Sequence, residues 1–175
     1  MSRKIGCLLA LLLPGLLPPA LAAAADASYS LFEGLVKVSA PADWPVMLKK
    51  TEGVPQVIAF QVTDPADANN GQLSHVSVEA KLLNDASTYQ ALVNAGTDRA
   101  KQTPGYEAQK SADTNVIRYA GLDGKQRFEY RESWSLNTKV LTHVRCSRPL
   151  LATASAAWVA AYEAGCAQIM QSTRR

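Results

Sequence analysis

The sequence has few of the residues that carry chemistry. Among 175 residues it holds two histidines and three cysteines, and only 19% of the residues are charged. It contains no Gly-x-Ser-x-Gly motif and no glycine-rich phosphate loop. Ser74 and His75 are adjacent, so on a strand their side chains point to opposite faces and cannot form a nucleophile–base pair. We therefore expect neither an enzyme nor a cofactor.

Two weak metal-binding patterns exist, and neither is complete. His75 and His143 lack the HxH, HxxxH or HExxH spacing typical of zinc sites, although Glu79 or Glu129 could supply a third ligand if the strands are neighbours. Residues 64–71 resemble part of a calcium loop but lack its closing glutamate. That stretch is rich in turn-forming residues, so we interpret it as a loop and expect no metal.

Charge and hydrophobicity exclude two further classes of protein. The formal net charge is +3, and four basic residues stand at the chain ends, at positions 3, 4, 174 and 175. The body of the chain is thus nearly neutral, which argues against a nucleic-acid-binding protein. No second long apolar run follows the first one, so we expect no stable membrane insertion of the mature protein.

The first 25 residues have the order of a secretory signal peptide. Residues 2–4 are positively charged, residues 5–17 are almost wholly apolar, and residues 21–25 offer small-residue cleavage sites. Prolines and a glycine at 14–19 cut the run short of the roughly 20 residues that a membrane-spanning helix needs. We interpret residues 1–25 as a cleaved signal and residues 26–175 as one periplasmic domain.

Cleavage would leave two cysteines, Cys146 and Cys166. A pair of cysteines in an exported protein predicts a disulfide, which would stabilise the fold by about 3 kcal/mol. Cys146 lies near the end of a predicted strand, whereas Cys166 lies about 20 Å along a predicted helix at 1.5 Å per residue. The bridge therefore requires residues 147–153 to run back along the sheet.

Hydrophobic periodicity predicts an α+β fold. From Arg127 to Trp134, aromatic and charged residues alternate, which is typical of a strand with one buried and one wet face. A period of 3.6 residues predicts two helices, and a Gly-x-x-Gly sequence predicts a hairpin turn at 121–124. Trp44, between two prolines, is expected to plug the core edge. The predicted strands are 29–32, 35–38, 46–49, 55–63, 73–83, 106–110, 115–120, 127–134 and 138–147, and the helices are 89–101 and 155–170.

Four short motifs occur in the same order as in a known superfamily. They are Pro-x-x-Trp at 41–44, Gly-x-x-Gly at 121–124, Leu-Thr-x-x-x-Cys at 141–146, and a closing helix that ends in Ile-Met-Gln-Ser. This layout resembles the PsbP-like and Mog-type superfamily, which includes the periplasmic DcrB-like proteins. The resemblance covers the mature chain and implies an α/β/α-type sandwich around an antiparallel sheet. It implies a binding or assembly module and carries over no catalytic residue.

A mixed-charge surface is the main candidate site. Eight polar residues alternate with apolar ones on three predicted strands: His75, Glu79, Lys81, Arg127, Glu129, Arg131, His143 and Arg145. If the strands lie together, these side chains share one face, which suits a polar protein partner. The alternative is a solvated outer face, the default for antiparallel sheets.

We therefore expect a non-catalytic periplasmic protein that acts by binding another protein. Its most specific form is an immunity protein or inhibitor against a secreted toxin. The alternatives are a DcrB-like cell-envelope accessory protein without enzymatic activity, and a small-ligand carrier, whose pocket is not visible in sequence.

Overall fold

The computed structural model describes residues 26–67 and 74–175, which form an α+β fold with two helices and a large antiparallel sheet. The predicted signal peptide and residues 68–71 of the predicted 64–71 loop lie outside the described residues. The elements are β1 (Asp26–Leu31), β2 (Val36–Pro41), β3 (Val46–Lys50), β4 (Gln56–Val62), β5 (Ser74–Leu82), α1 (Tyr89–Lys101), β6 (Glu107–Gln109), β7 (Val116–Asp123), β8 (Gln126–Asn137), β9 (Val140–Pro149) and α2 (Ala156–Ser172).

The large sheet has the strand order β3-β4-β5-β9-β8-β7-β6, and every neighbouring pair is antiparallel. The chain runs through β3, β4 and β5, crosses through α1, and then forms a second meander from β6 to β9. Strand β9 joins the second meander to the first by pairing with β5. The predicted antiparallel sheet with two helices is confirmed, and β5, β9 and β8 are its central strands.

The β7–β8 hairpin turns later than the sequence predicted. Strand β7 continues through Gly121 to Asp123, and Asp123 pairs with Gln126. The two-residue turn is therefore Gly124 and Lys125, with Gly124 at φ 59°, a left-handed conformation that glycine adopts at little cost. The first glycine of the motif has a different role. A Cβ atom at Gly121 would lie 2.5 Å from the side chain of Thr103.

The main core lies between one face of the large sheet, helix α2 and the β1–β2 hairpin. Its sheet side consists of alternate residues of β4, β5 and β9, and α2 adds Tyr162, Cys166, Ile169 and Met170. The Trp44 indole, 8% exposed, stacks on Tyr162 with ring centroids 5.8 Å apart. A Cβ atom at Gly165 would lie 2.5 Å from that indole, so glycine is what allows this approach. Trp44 is a core residue, as predicted.

Helix α2 is fixed at both ends. The Ser155 hydroxyl caps its start by accepting a hydrogen bond from the Trp158 amide at 3.2 Å. Near its end, the Ser39 amide of β2 donates to the Ser172 hydroxyl at 3.0 Å, and Gln168 donates to the Ser39 hydroxyl. The hairpin therefore docks on the last turns of α2.

Helix α1 lies on the opposite face and covers only part of it. The Tyr89 hydroxyl donates to the Trp134 carbonyl at 3.2 Å, and Gly96 approaches the Trp134 ring so closely that a Cβ atom there would lie 2.7 Å away. Ala100 joins a small cluster with Tyr119, Phe128 and Tyr130. Helix α1 thus covers β7 and β8. In the described part of the chain, neither helix combines the length and hydropathy needed to cross a bilayer.

A disulfide joins Cys146 of β9 to Cys166 of α2, with the Cα atoms 6.3 Å apart. The prediction that residues 147–153 run back along the sheet is wrong for 147–149, because β9 continues to Pro149 and these residues pair with β8. The segment 150–155 joins β9 to α2. Both cysteines are at most 1% exposed. The bridge therefore ties the central sheet to its covering helix from inside the core.

We expect the double substitution Cys146→Ala, Cys166→Ala to lower the free energy of unfolding by about 3 kcal/mol, because the unfolded chain loses a covalent constraint. Urea denaturation of the mature protein with and without reductant measures this. Reductant should destabilise the wild type and leave the variant unchanged. If mature protein exported to the periplasm and denatured without reductant reacts with two equivalents of a thiol reagent, the bridge does not form.

Candidate functional site

The eight polar residues that sequence analysis placed on one surface lie on two opposite faces of the sheet. Paired residues of antiparallel neighbours share a face, and Glu79 pairs with His143, which in turn pairs with Trp134. The aromatic residues of β8 are thus on the α1 face, and the predicted site residues of this strand are on the α2 face. His75, Glu79, Lys81, His143 and Arg145 share the α1 face, whereas Arg127, Glu129 and Arg131 share the α2 face. The predicted single surface is wrong.

The α2 face of β8 is largely shielded from solvent, because α2 covers it. Glu129 is 3% exposed, and its carboxylate accepts hydrogen bonds from the guanidinium groups of Arg118 and Arg148. Arg131 forms an ion pair with Glu163 of α2. Buried charges persist in proteins when they are paired and hydrogen-bonded, which is the case here. This group, which we call the arginine cluster, consists of Arg118, Arg131, Arg148, Glu129 and Glu163.

Arg127 differs from its two neighbours on this face. Its side chain is 43% exposed, lies near the start of β8 and forms an ion pair with Glu107 of β6. Exposed ion pairs of this kind contribute little to stability. Arg127 is therefore a surface residue that can be changed without disturbing the arginine cluster.

On the α1 face, a residue that sequence analysis missed organises the polar groups. Glu132 of β8 is 5% exposed. One of its carboxylate oxygens accepts a hydrogen bond from the Tyr119 hydroxyl at 2.6 Å, and the other lies 2.6 Å from His143 Nε2. Arg145 Nε lies 3.6 Å from the first oxygen. The sequence pattern could have identified this residue, because Glu132 interrupts the apolar alternation of Phe128, Tyr130 and Trp134.

These contacts set the protonation state of the Glu132 carboxyl. Burial by itself would raise its pKa, but hydrogen bonds from His143 and Tyr119 and the nearby charge of Arg145 lower the pKa below the usual 4.5. Burial and the bond to Glu132 raise the pKa of the Tyr119 hydroxyl well above its usual value. Glu132 is therefore an anion at neutral pH, and Tyr119 remains a neutral donor.

Aromatic rings hold the other two partners of Glu132. The His143 imidazole stacks on the Trp134 indole, with centroids 4.8 Å apart and planes 3° from parallel. The Arg145 guanidinium lies 4.8 Å from the centre of the Tyr130 ring, a cation–π distance. Two of the predicted site residues are therefore positioned by contacts along the sheet.

A polar cleft of about 260 Å³ opens between α1 and this cluster. Glu79 and Lys81 of β5 form one wall, and Arg99 of α1 faces them. Four of the eight predicted residues thus line a single cleft, namely Glu79, Lys81, His143 and Arg145.

His75 lies apart from this cleft. It pairs with Ser147. On the same face, this pair lies two rows from the Glu79–His143 pair, so the two histidines are not adjacent. Partial burial lowers the pKa of His75. The described residues contain no group of three side chains placed to bind a metal ion.

Replacing Glu132 with glutamine should lower the free energy of unfolding at pH 7 by about 2 kcal/mol, because charge-assisted hydrogen bonds are lost. Because the folded-state pKa is below the unfolded value of 4.5, the wild-type contribution is complete above that pH and disappears as pH falls through the folded pKa. Denaturation curves from pH 7 to pH 3 should show a shallower acid dependence for the variant. The control Glu79→Gln, an exposed residue on the same face, should match the wild type. A Glu132→Gln protein with wild-type stability at pH 7 would contradict this assignment.

Comparison with known proteins leaves the chain without a family. No family model and no curated protein matches it. A solved structure of PA94, a protein of unknown function from Pseudomonas aeruginosa, is similar to it at 15% identity and a TM-score of 0.48, over 83% of this chain and 94% of the other. At that TM-score, the likeness carries no functional conclusion.

Proposed function

We propose that this protein is an exported, non-catalytic protein-binding module whose partner docks on the uncovered part of the α1 face. The observation that carries this proposal is the incomplete cover of the sheet by α1. We define the open face as Leu48, Lys50, Val57, Ser77, Glu79 and Lys81, which share one side of β3, β4 and β5. Leu48 is 50% exposed, and Lys50, Glu79 and Lys81 are also exposed. A half-covered sheet with apolar and charged groups suits a protein partner.

The edge strand beside this face supports the same proposal. Among the residues that the structure describes, β3 pairs only with β4. It exposes Val46, Met47 and Leu48 by 39%, 54% and 50%. An edge strand presents unpaired backbone groups, and an extended segment of another protein can add to it as a further strand. The edge and the open face are continuous, so one partner could use both.

The charge of this region favours an acidic partner over a second copy of the chain. Lys49 and Lys50 stand on the edge strand, and Lys81 and Arg145 are exposed on the sheet face, against one exposed carboxylate at Glu79. Lysines on an edge strand disfavour pairing between identical edges. We therefore assign the partner as a different protein that presents an extended segment with acidic side chains.

The geometry of Glu132 supports binding over catalysis. Both carboxylate oxygens are occupied, one by Tyr119 and the other by His143. A carboxylate held in this way stabilises the sheet and orients His143 and Arg145 towards the cleft, because each of its oxygens already has a partner within the protein. The polar groups of the cleft therefore serve as a rim for the open face.

Export is supported by the order of residues 1–25 and by the disulfide, which is typical of extracytoplasmic proteins. We propose a periplasmic location and an α/β/α sandwich like that of the PsbP-like, Mog-type and DcrB-like proteins. An immunity protein or inhibitor that covers a secreted toxin is the most specific form of this function. A DcrB-like envelope accessory role without enzymatic activity is the second candidate.

Charge reversal on the two faces tests the proposal. Tagged mature protein is first cross-linked to periplasmic and secreted proteins, and the stoichiometric partner is identified by mass spectrometry and purified. The double variant Lys50→Glu, Lys81→Glu, at two exposed positions of the open face, should then bind it at least about tenfold more weakly, because like charges would face each other. The matched control Arg127→Glu changes an exposed arginine on the opposite face and should bind as the wild type does.

Both the affinities of the variants and the identity of the partner test the proposal. Equal affinity of the Lys50→Glu, Lys81→Glu variant and the wild type would contradict docking on the α1 face, as would a selective loss in Arg127→Glu. A secreted lytic enzyme as the partner would support the inhibitor form. An envelope-assembly protein would support the accessory form.

A further inference from the structure

A second cleft opens on the α2 face, on the other side of the sheet from the proposed partner surface. Its volume is about 280 Å³, and it lies between β7, β8, α2 and residues 111–113. Arg118 and Arg131 of the arginine cluster form one wall with Glu163, and Arg174 lies at the end of the cleft near Asp113. The cleft therefore brings three guanidinium groups to one opening.

The arginine cluster carries more positive than negative charge. Within the described part of the chain, Arg118, Arg131 and Arg148 share two carboxylates, those of Glu129 and Glu163. Arg131 and Arg148 are 16% and 10% exposed at their side chains, so water solvates the surplus charge poorly. A partly buried surplus guanidinium is stabilised by an anion that can form charge-assisted hydrogen bonds with it.

Arg174 adds a guanidinium group with one N–H that lacks an acceptor among the described residues. Its Nη1 donates to Asp113 Oδ2 at 2.5 Å, which balances its charge. Its Nε is buried and has no hydrogen-bond partner among the described residues. A buried N–H group without an acceptor costs free energy, and an acceptor atom in the cleft would recover it.

Part of the remaining wall of the cleft is apolar, beside the polar Ser111 and Gln171. Val116 of β7 and Ala167 and Met170 of α2 line it, together with Cys166 of the disulfide. Small-molecule sites typically combine such a surface with a few convergent polar groups. The cleft is therefore suited to a ligand with one charged end and one apolar end.

We propose that this cleft binds a small organic anion, with its oxyanion head at Arg118, Arg131 and Arg174 and a short apolar body against Val116 and Met170. Guanidinium groups match both carboxylate and phosphate heads. The site is on the opposite face from the partner surface, so each proposal can fail without the other.

Calorimetric titration of the mature protein with hexanoate, hexyl phosphate and hexylamine tests the site. The two anions share an apolar body with hexylamine, which carries the opposite charge. We expect saturable binding of at least one anion and none of hexylamine, and the tighter anion identifies the head group as carboxylate or phosphate. No saturable binding of either anion, or equal binding of hexylamine, would overturn the proposal.

Three variants assign the binding to this cleft. Arg174→Gln should weaken anion binding about tenfold, because one charged donor is lost. Glu163→Gln should tighten it about tenfold, because a competing carboxylate is removed while the side-chain shape is kept. Arg127→Gln, on the same face but outside the cleft, should leave affinity unchanged. Arg174→Gln protein that melts like the wild type and binds the anion equally well would refute the assignment.

Discussion

Two buried carboxylates on one strand, Glu129 and Glu132, organise the charged side chains that pack against the two faces of the central sheet. They are three residues apart, so the alternation of a strand sends them to opposite faces of the sheet. Each is at most 5% exposed, and a buried carboxylate requires partners that replace water. The hydrogen-bond partners of Glu129 are Arg118 and Arg148, whereas those of Glu132 are Tyr119 and His143.

This arrangement separates structural charges from charges that remain available. Arg131 and Arg148 are held by Glu129 and Glu163 beneath α2, so they stabilise the fold and shape the α2-face cleft. Glu79 and Lys81 on β5 are exposed beside the open face. The proposed partner surface therefore depends on how far α1 extends across the sheet, and the proposed anion site depends on the unequal number of arginines and carboxylates beneath α2.

Much of the fold could be predicted from sequence, because its local patterns are strong. Helix α1 has the predicted bounds, and α2 begins one residue after its predicted start, where Ser155 acts as the cap. The pairing of Cys146 with Cys166 followed from their being the pair that would remain after cleavage of the predicted signal peptide. The site was harder to predict. Alternation in β8 shows that Glu129 and Phe128 point in opposite directions, but it cannot show that α2 covers the polar side. The register of β5, β9 and β8 also depends on contacts between distant segments, so no local pattern shows which polar rows share a face.

Hydrogen–deuterium exchange on the purified complex with the cross-linked partner tests the central claim most directly. In the free protein, amides of Val46–Lys50 that point away from β4 have no strand to bond with among the described residues 26–67 and 74–175, so they should exchange fast. Strand addition on the open edge predicts that the partner slows exchange in β3 and in β5, while α2 is unchanged. Protection confined to α2 or to the β1–β2 hairpin, with β3 exchanging as in the free protein, would contradict the account.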